Sequence, residues 1–306
     1  MILNYFKLQR TLWSRQMVAF GVQPMVAVLF LIIGGVFFSE MLFAKTKYAV
    51  YIFDVIALSL LIKNNETERN QFLKLTFTKR DYYTIRGIEN LMTLVPFTVF
   101  LAVKCEFVSI VGLILIGIAL LFFTNYKKAS VTIPTPFFRY PFEFVVGFRQ
   151  WILGLLVSYF LLIMSIRHQN FNLAIVSLGL IFLICILFYI EVETNFYVWI
   201  HRQKAVSFLG SKIKYALCFT SVLILPSVLC IAYFFNSELR NLGIVVGLGY
   251  VYLMTMVLAK YSNYPSKLNA IQMILFVMSM TMPPFLLIII PYFYTRSVRN
   301  LKLILP

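Results

Sequence analysis

The residues able to do acid–base, nucleophilic or metal chemistry are few enough to be taken one by one. Two histidines and eleven acidic residues are spread over 306 positions. A general acid or base must sit within hydrogen-bonding reach of its substrate, and a metal centre needs several ligands converging on one point. His168 falls in a short loop and His201 in a polar stretch, each without a second histidine nearby. Cys105, Cys185, Cys218 and Cys230 show neither metal-site nor redox spacing, and the last three fall within apolar runs, where buried thiols are expected. No HExxH, GxSxG, CxxC, phosphate-cradling glycine loop or ATP-binding motif occurs. The sequence thus predicts no catalytic residue, no metal and no cofactor.

One acid is exceptional by position. Asp54 interrupts the apolar run from Tyr48 to Ile62, where an ionised carboxylate costs about 3 kcal/mol on insertion scales and is expected to face a polar partner or cavity. It is a candidate intramembrane polar site, on a translocation path or in a proton relay. A structural hydrogen bond to Tyr48, Tyr51 or a neighbouring helix is the other reading. Glu89, at the start of another apolar run, is expected to pair with Arg86 or Lys63.

Composition says what must hold these residues. The chain is 61% hydrophobic, 17% aromatic and only 12% charged, with a mean hydropathy of +0.88. Soluble domains are about one-quarter charged, so this is read as a polytopic, all-α integral membrane protein. The net charge of +16 would suggest nucleic acid in a soluble chain. Here the cations lie between apolar runs, so they read as topology signals and as contacts to anionic membrane lipids, not nucleic acid.

Taken in order, residues 1–16 segregate Tyr5, Phe6, Leu8, Leu12 and Trp13 from Lys7, Arg10 and Arg15, which predicts an amphipathic interfacial helix. Apolar runs then pair into hairpins. Met17 to Phe38 with Tyr48 to Ile62, and Ile88 to Val103 with Phe107 to Thr124, make a first four-helix repeat over residues 17–130. Trp151 to Ile166 with Leu173 to Ile190, and Tyr215 to Phe235 with Leu242 to Leu258, make a second over 131–260. The spacing of about 130 residues suggests an internal duplication. A basic loop with Lys127, Lys128, Arg139 and Arg149, broken by Pro134, Pro136 and Pro141, joins the halves, and the aromatic run over residues 136–151 is expected at the headgroup level. Residues 261–306 hold one Pro-broken apolar segment, Ile271 to Tyr294, and a basic tail. Its length favours one kinked crossing, but that would leave Arg296, Arg299 and Lys302 on the wrong side for the positive-inside rule, which a re-entrant pair would satisfy. The expected total is eight or nine crossings, with the N-terminus and the most basic loop on the cytoplasmic side.

That loop, residues 63–86, is the densest charge cluster in the chain. It starts with Glu66 and Glu68, continues through an amphipathic piece with Phe72, Leu73, Lys74, Leu75 and Phe77, and ends with Lys79, Arg80, Tyr83 and Arg86. One helix over Gln71 to Tyr83 is expected, its apolar side in the headgroups and Arg69, Lys74, Lys79 and Arg80 facing water or a partner. A second polar stretch, residues 191–214, carries Glu193, His201, Arg202 and Lys204.

This succession resembles the permease subunits of ABC-2 type exporters, in which a glutamate-containing segment after the second span leads into a short coupling helix. Glu66 and Glu68, Leu73 and Leu75, Thr76 and Thr78, Lys79 and Arg80, and Tyr83 follow that pattern in order; the family's usual central Pro is missing, with Thr76 near its place. The resemblance covers about residues 1–125. It implies a separate cytoplasmic ABC-type ATPase as partner, contacted by Glu66, Glu68, Lys74, Phe77, Lys79, Arg80 and Tyr83, and a bacterial inner-membrane location. Glu193, His201, Arg202 and Lys204 would mark a second, degenerate coupling loop. One chain then supplies both halves of a pathway that family members usually build from two, as a homodimer or heteromer. An ion-coupled secondary transporter, for which Asp54 speaks, and a non-transporting scaffold of an export machine are the other readings of the residues. A lipid-modifying membrane enzyme would need polar residues clustered at one membrane face, which the sequence does not display.

Overall fold

The structure is a computed structural model that describes residues 2–122, 134–137 and 142–305. Lys127, Lys128, Arg139 and Pro141 of the expected basic loop lie outside the described residues. All regular structure among the described residues is helical. The chain divides into two compact units, Met1–Val131 and Thr132–Pro306, so the C-terminal segment belongs to the second unit.

In the first unit, α1 (Ile2–Phe20) runs four residues past its expected end. It stops at Gly21, whose φ of +89° is open to a residue without Cβ, and Pro24 then opens α2 (Pro24–Lys45) at a position where a missing N–H costs nothing. The first apolar helix therefore starts at Pro24 and not Met17. It turns back into α3 (Ala49–Asn64); a two-residue link leads to α4 (Thr67–Thr76), and another to α5 (Lys79–Val103), which is followed by α6 (Phe107–Phe122). The single helix expected over Gln71 to Tyr83 is thus two. Thr78 accepts a hydrogen bond from Asp81 N at 3.3 Å and caps α5, which puts Lys79 and Arg80 in the first turn of the long helix. At the opposite end, Lys104 pairs with Glu40 at 2.7 Å and ties α5 to α2. Between the two ends, Phe43, Phe53, Phe97 and Phe100 pack ring on ring.

The second unit is built on α7 (Phe142–Arg167), α8 (Phe171–Leu187), α10 (Ala205–Phe234) and α11 (Leu239–Ser262), with the single turn α9 (Asn195–Trp199) between α8 and α10. Of the aromatic run expected in the headgroups, residues 142–151 form the start of α7, residues 138–141 lie outside the described residues, and α10 starts well before Tyr215. Helices approach closely where side chains are small: a Cβ on Gly249 would lie 2.6 Å from the Phe182 ring, and one on Gly147 would strike Phe188. Tyr159 OH donates to Leu223 O at 2.6 Å, and the Ser221 and Tyr250 hydroxyls are 2.5 Å apart, so α7, α10 and α11 are also cross-linked at mid-height.

The last segment folds back on itself. Helix α12 (Ala270–Thr281) starts beside the end of α11, where Gln272 Nε2 donates to Ser262 Oγ at 2.8 Å, and its far end accepts at Ser279 O from Tyr252 OH at 2.9 Å. The Pro283–Phe285 turn, which begins with two prolines, reverses the chain into α13 (Leu286–Leu301). This helix descends along α11, with Ser297 Oγ bonded to Leu258 O at 2.7 Å and Asn300 Nδ2 to Ser262 O at 2.8 Å. Both ends of residues 270–301 therefore sit at the same end of α11. Residues 270–301 are thus a hairpin broken at Pro283–Phe285 and not one kinked helix, and the twelve residues of α12 span only about 18 Å against the roughly 30 Å of a bilayer core.

Among the described residues, five helical stretches are long and apolar enough to cross a membrane: Pro24–Lys45, Lys79–Val103, Phe142–Arg167, Ala205–Phe234 and Asn236–Ser262. Helices α6 and α8 are apolar but shorter. A packing test follows from the close approach at Gly249. Gly249→Ala is expected to lower stability by about 1–3 kcal/mol through overpacking, read as a lower melting temperature in detergent, whereas Gly243→Ala, with nothing within 4 Å of its Cβ, should not.

Candidate functional site

The basic loop of the first unit folds around α4. Its inner face holds Leu73, fully buried with Tyr5 of α1 and with Tyr82 and Ile85 of α5. Arg69, expected to face outward, turns inward and pairs with Glu89, gives a bond to Asn64 O at 3.0 Å and another to Tyr5 OH at 3.2 Å; Tyr5 OH in turn donates to Glu89 Oε1 at 2.9 Å. So Glu89 does not pair with Arg86 or Lys63. Arg86 is itself buried, donating to Leu120 O of α6 at 2.9 Å and to Tyr82 OH at 3.1 Å. Three helices are thereby fastened to the ends of α4 and α5.

The outer face is open. Glu66, Glu68, Lys74, Lys79, Arg80 and Tyr83 are exposed and Phe77 is half-buried, its ring edge-on to Tyr5 at 5.8 Å. Leu75, 88% exposed, and Phe72 stand among these charges without apolar cover.

The second polar stretch behaves differently. His201 is half-buried, with Nδ1 donating to Tyr197 O at 2.8 Å, and Arg202 and Lys204 are exposed. Glu193, grouped with them in the sequence, points the other way, into the bundle. There it meets Glu143 from the start of α7, Lys212 from α10 and Lys260 from the end of α11. Lys212 Nζ donates to Glu193 Oε1 at 2.6 Å and to Glu143 Oε1 at 3.1 Å; Lys260 Nζ donates to Glu143 Oε1 at 3.0 Å and lies 3.8 Å from Glu193 Oε1. Tyr261 OH donates to Glu193 Oε2 at 3.1 Å. The rings of Tyr189 and Tyr261 lie within 5.5 Å of Lys260 Nζ, and those of Tyr197 and Phe208 within 5.6 Å of Lys212 Nζ. None of the four charged residues is more than 8% exposed.

Glu193 is the member that titrates toward neutrality. Burial, with the hydrogen-bonded Glu143 carboxylate beside it, pushes its carboxyl from 4.5 up to about 7 against the pull of Lys260 and Lys212. Glu143 shares both lysines and is the closer of the two carboxylates to Lys260. Next to the cluster, Tyr197, Ile200, His201, Gln203, Ser211, Lys212 and Tyr215 line a cavity of about 490 Å³.

The remaining expected residues do not gather into a site. Asp54 is half-buried on α3 with Oδ1 shut off from water and no hydrogen-bond partner among the described residues; Tyr48 and Tyr51 are exposed. Cys185 is buried, but Cys105 and Cys218 are exposed, against expectation for Cys218. Among the described residues no group of three or more His, Cys, Asp or Glu side chains is placed to hold a metal ion.

By class, then, this is an all-helical chain with several helices apolar and long enough to span a membrane. No family model, curated protein or solved structure matches it.

The charge cluster makes two measurable statements. Lys260→Met should destabilise the protein by about 3–5 kcal/mol by leaving Glu143 under-paired, and Glu143→Gln added to it should recover much of that loss in a thermal-melt cycle. Between pH 4.5 and 7 the folded protein holds a proton on Glu193 that the unfolded chain has released, so this group's contribution to stability is full below pH 4.5 and declines as pH rises through about 7. The melting temperature of the native chain should therefore fall over that window relative to Glu193→Gln; parallel profiles would contradict the assignment.

Proposed function

We propose that the chain is the membrane-spanning subunit of an ATP-driven exporter, moved by a separate cytoplasmic ATPase that docks on α4 and the first turn of α5. The observation that carries this reading is the pair of two-residue links joining α4 to α3 and α5. Links that short have no slack, so a displacement of α4 passes into both long helices. Leu75 and Phe72 would fill an apolar depression on the ATPase, with Lys74, Lys79 and Arg80 at the rim steering the encounter. Chemistry stays in the partner. The α8–α9–α10 stretch has the same order of apolar helix, short helix and long Pro-containing helix as α3–α4–α5, which favours an internal duplication and a second, weaker docking point at Arg202 and Lys204. On this reading eight helices, α2, α3, α5, α6, α7, α8, α10 and α11, cross a bacterial inner membrane, α12 and α13 form a re-entrant pair, and the N-terminus is cytoplasmic.

The charge reversal Lys79→Glu with Arg80→Glu should abolish co-purification of an ATPase and ATP-dependent transport together, with the melting temperature unchanged because both side chains are exposed. Retention of both activities would sink the coupling role. A second reading, ion-coupled transport, rests on the unpartnered buried oxygen of Asp54. It predicts that Asp54→Asn stops transport driven by an ion gradient in vesicles free of ATPase, which the exporter reading does not.

A further inference from the structure

Helix α13 has two faces of opposite character. Leu286, Ile289, Phe293, Ser297 and Leu301 form the buried stripe against α11. On the other side Phe285, Ile288, Tyr292, Thr295 and Arg299 follow one another at three- and four-residue steps, all exposed. This outer stripe is apolar up to Tyr292 and polar beyond it. At the change, Tyr292, Thr295, Arg296 and Arg299 line a cavity of about 250 Å³.

Arg296 is not simply reaching for water. Its Nη1 donates to Tyr292 OH at 2.8 Å, which folds the guanidinium back one turn toward the apolar part of the stripe, away from the helix end where a snorkelling cation would go. Its Nε has no acceptor among the described residues, and neither Arg296 nor Arg299 forms an ion pair with a described carboxylate. Favourable placement of cations near a helix C-terminus accounts for Arg299 and Lys302 in the last turn, but not for an arginine held a turn earlier beside two hydroxyls. Depth agrees: Ser297 and Asn300 bond to Leu258 O and Ser262 O, so the cavity lies at the end of α11 that carries Lys260, the level where headgroups meet hydrocarbon if α11 spans the bilayer.

We infer that this slot binds one anionic phospholipid, its phosphate held by the guanidinium groups of Arg296 and Arg299, and one acyl chain lying along Ile288 and Phe285. Guanidinium forks match phosphate oxygens in pairs, which an ammonium does not. The inference is independent of whether the chain is an exporter.

The test uses the full chain, purified in mild detergent and exposed to equal amounts of phosphatidylglycerol and phosphatidylcholine, with retained lipid counted by native mass spectrometry. The expected result is one phosphatidylglycerol retained in preference to phosphatidylcholine, lowered about tenfold or more in Arg296→Gln with Arg299→Gln and unchanged in Lys302→Gln, a neighbouring exposed cation. Equal retention of both lipids by the native chain, or undiminished phosphatidylglycerol in a double variant whose melting temperature is native, would overturn it. Soluble glycerol phosphate should not displace the lipid; if it does so at similar concentration, the slot is a site for free phosphate and the lipid assignment fails.

Discussion

Two lysines and two glutamates, sealed from water, hold one end of four helical elements together, and the second unit is arranged around that fact. Each isolated charge would be costly to bury, and only mutual pairing with excellent geometry makes the group tolerable. Glu143 accepts from Lys260 at 3.0 Å and from Lys212 on both oxygens at 3.1 and 3.3 Å, and Glu193 takes a short bond from Lys212 and a second from Tyr261. No single helix can move away without exposing a charge to an apolar surrounding. The cluster therefore specifies register: the start of α7, the third turn of α10 and the end of α11 must meet at one level, with the α8–α9 link bent inward to deliver Glu193.

The first unit solves the same problem with fewer charges. Arg69, Glu89 and Tyr5 join α4, α5 and α1, while Arg86 is satisfied by the carbonyl of Leu120 near the end of α6 and by a tyrosine. In both units buried polar bonds lie where a short helix leaves the long ones, while the exposed charges of the same stretch make only surface contacts, Lys74 over the Tyr82 ring, Arg202 over Trp199 and Glu191 with Lys267. Within residues 63–86, Arg69 and Arg86 fix the loop, whereas Lys79 and Arg80 stay exposed in the first turn of α5.

Much of this was legible in the sequence. The apolar runs, a helix at the N-terminus and the exposure of Lys74, Lys79 and Arg80 follow from periodicity and composition, whereas Arg69, expected to face outward with them, turns inward to Glu89. What escaped was convergence. Glu143, Lys212 and Lys260 each stand at the edge of an apolar run, where a lone charge reads as a topology marker, and Glu193 reads as one more charge in a polar loop. Only the antiparallel order of the four helices brings positions 143, 193, 212 and 260 to one level, and the available hint was that all four fall at the same end of consecutive apolar runs. Boundaries failed where a local device overrode hydropathy, at Gly21 and Pro24 and at the Thr78 cap. The hairpin at 270–301 was hidden because a 24-residue apolar run has the same length whether it crosses or turns; its two clues were Pro283 with Pro284 and the basic residues beyond.

That hairpin has a mechanical consequence. Its base is pinned to the end of α11 by Gln272, Ser297 and Asn300, whereas its Pro283–Phe285 tip has the Tyr252 to Ser279 bond as its nearest tether. Yet the buried stripe of α13 begins at Leu286, directly after the turn, and runs on through Ile289 and Phe293 to Leu301, so the helix is seated along its whole length. A force on the turn would be shared along that seam and not concentrated at the base, so α13 and α11 are expected to shift as one body.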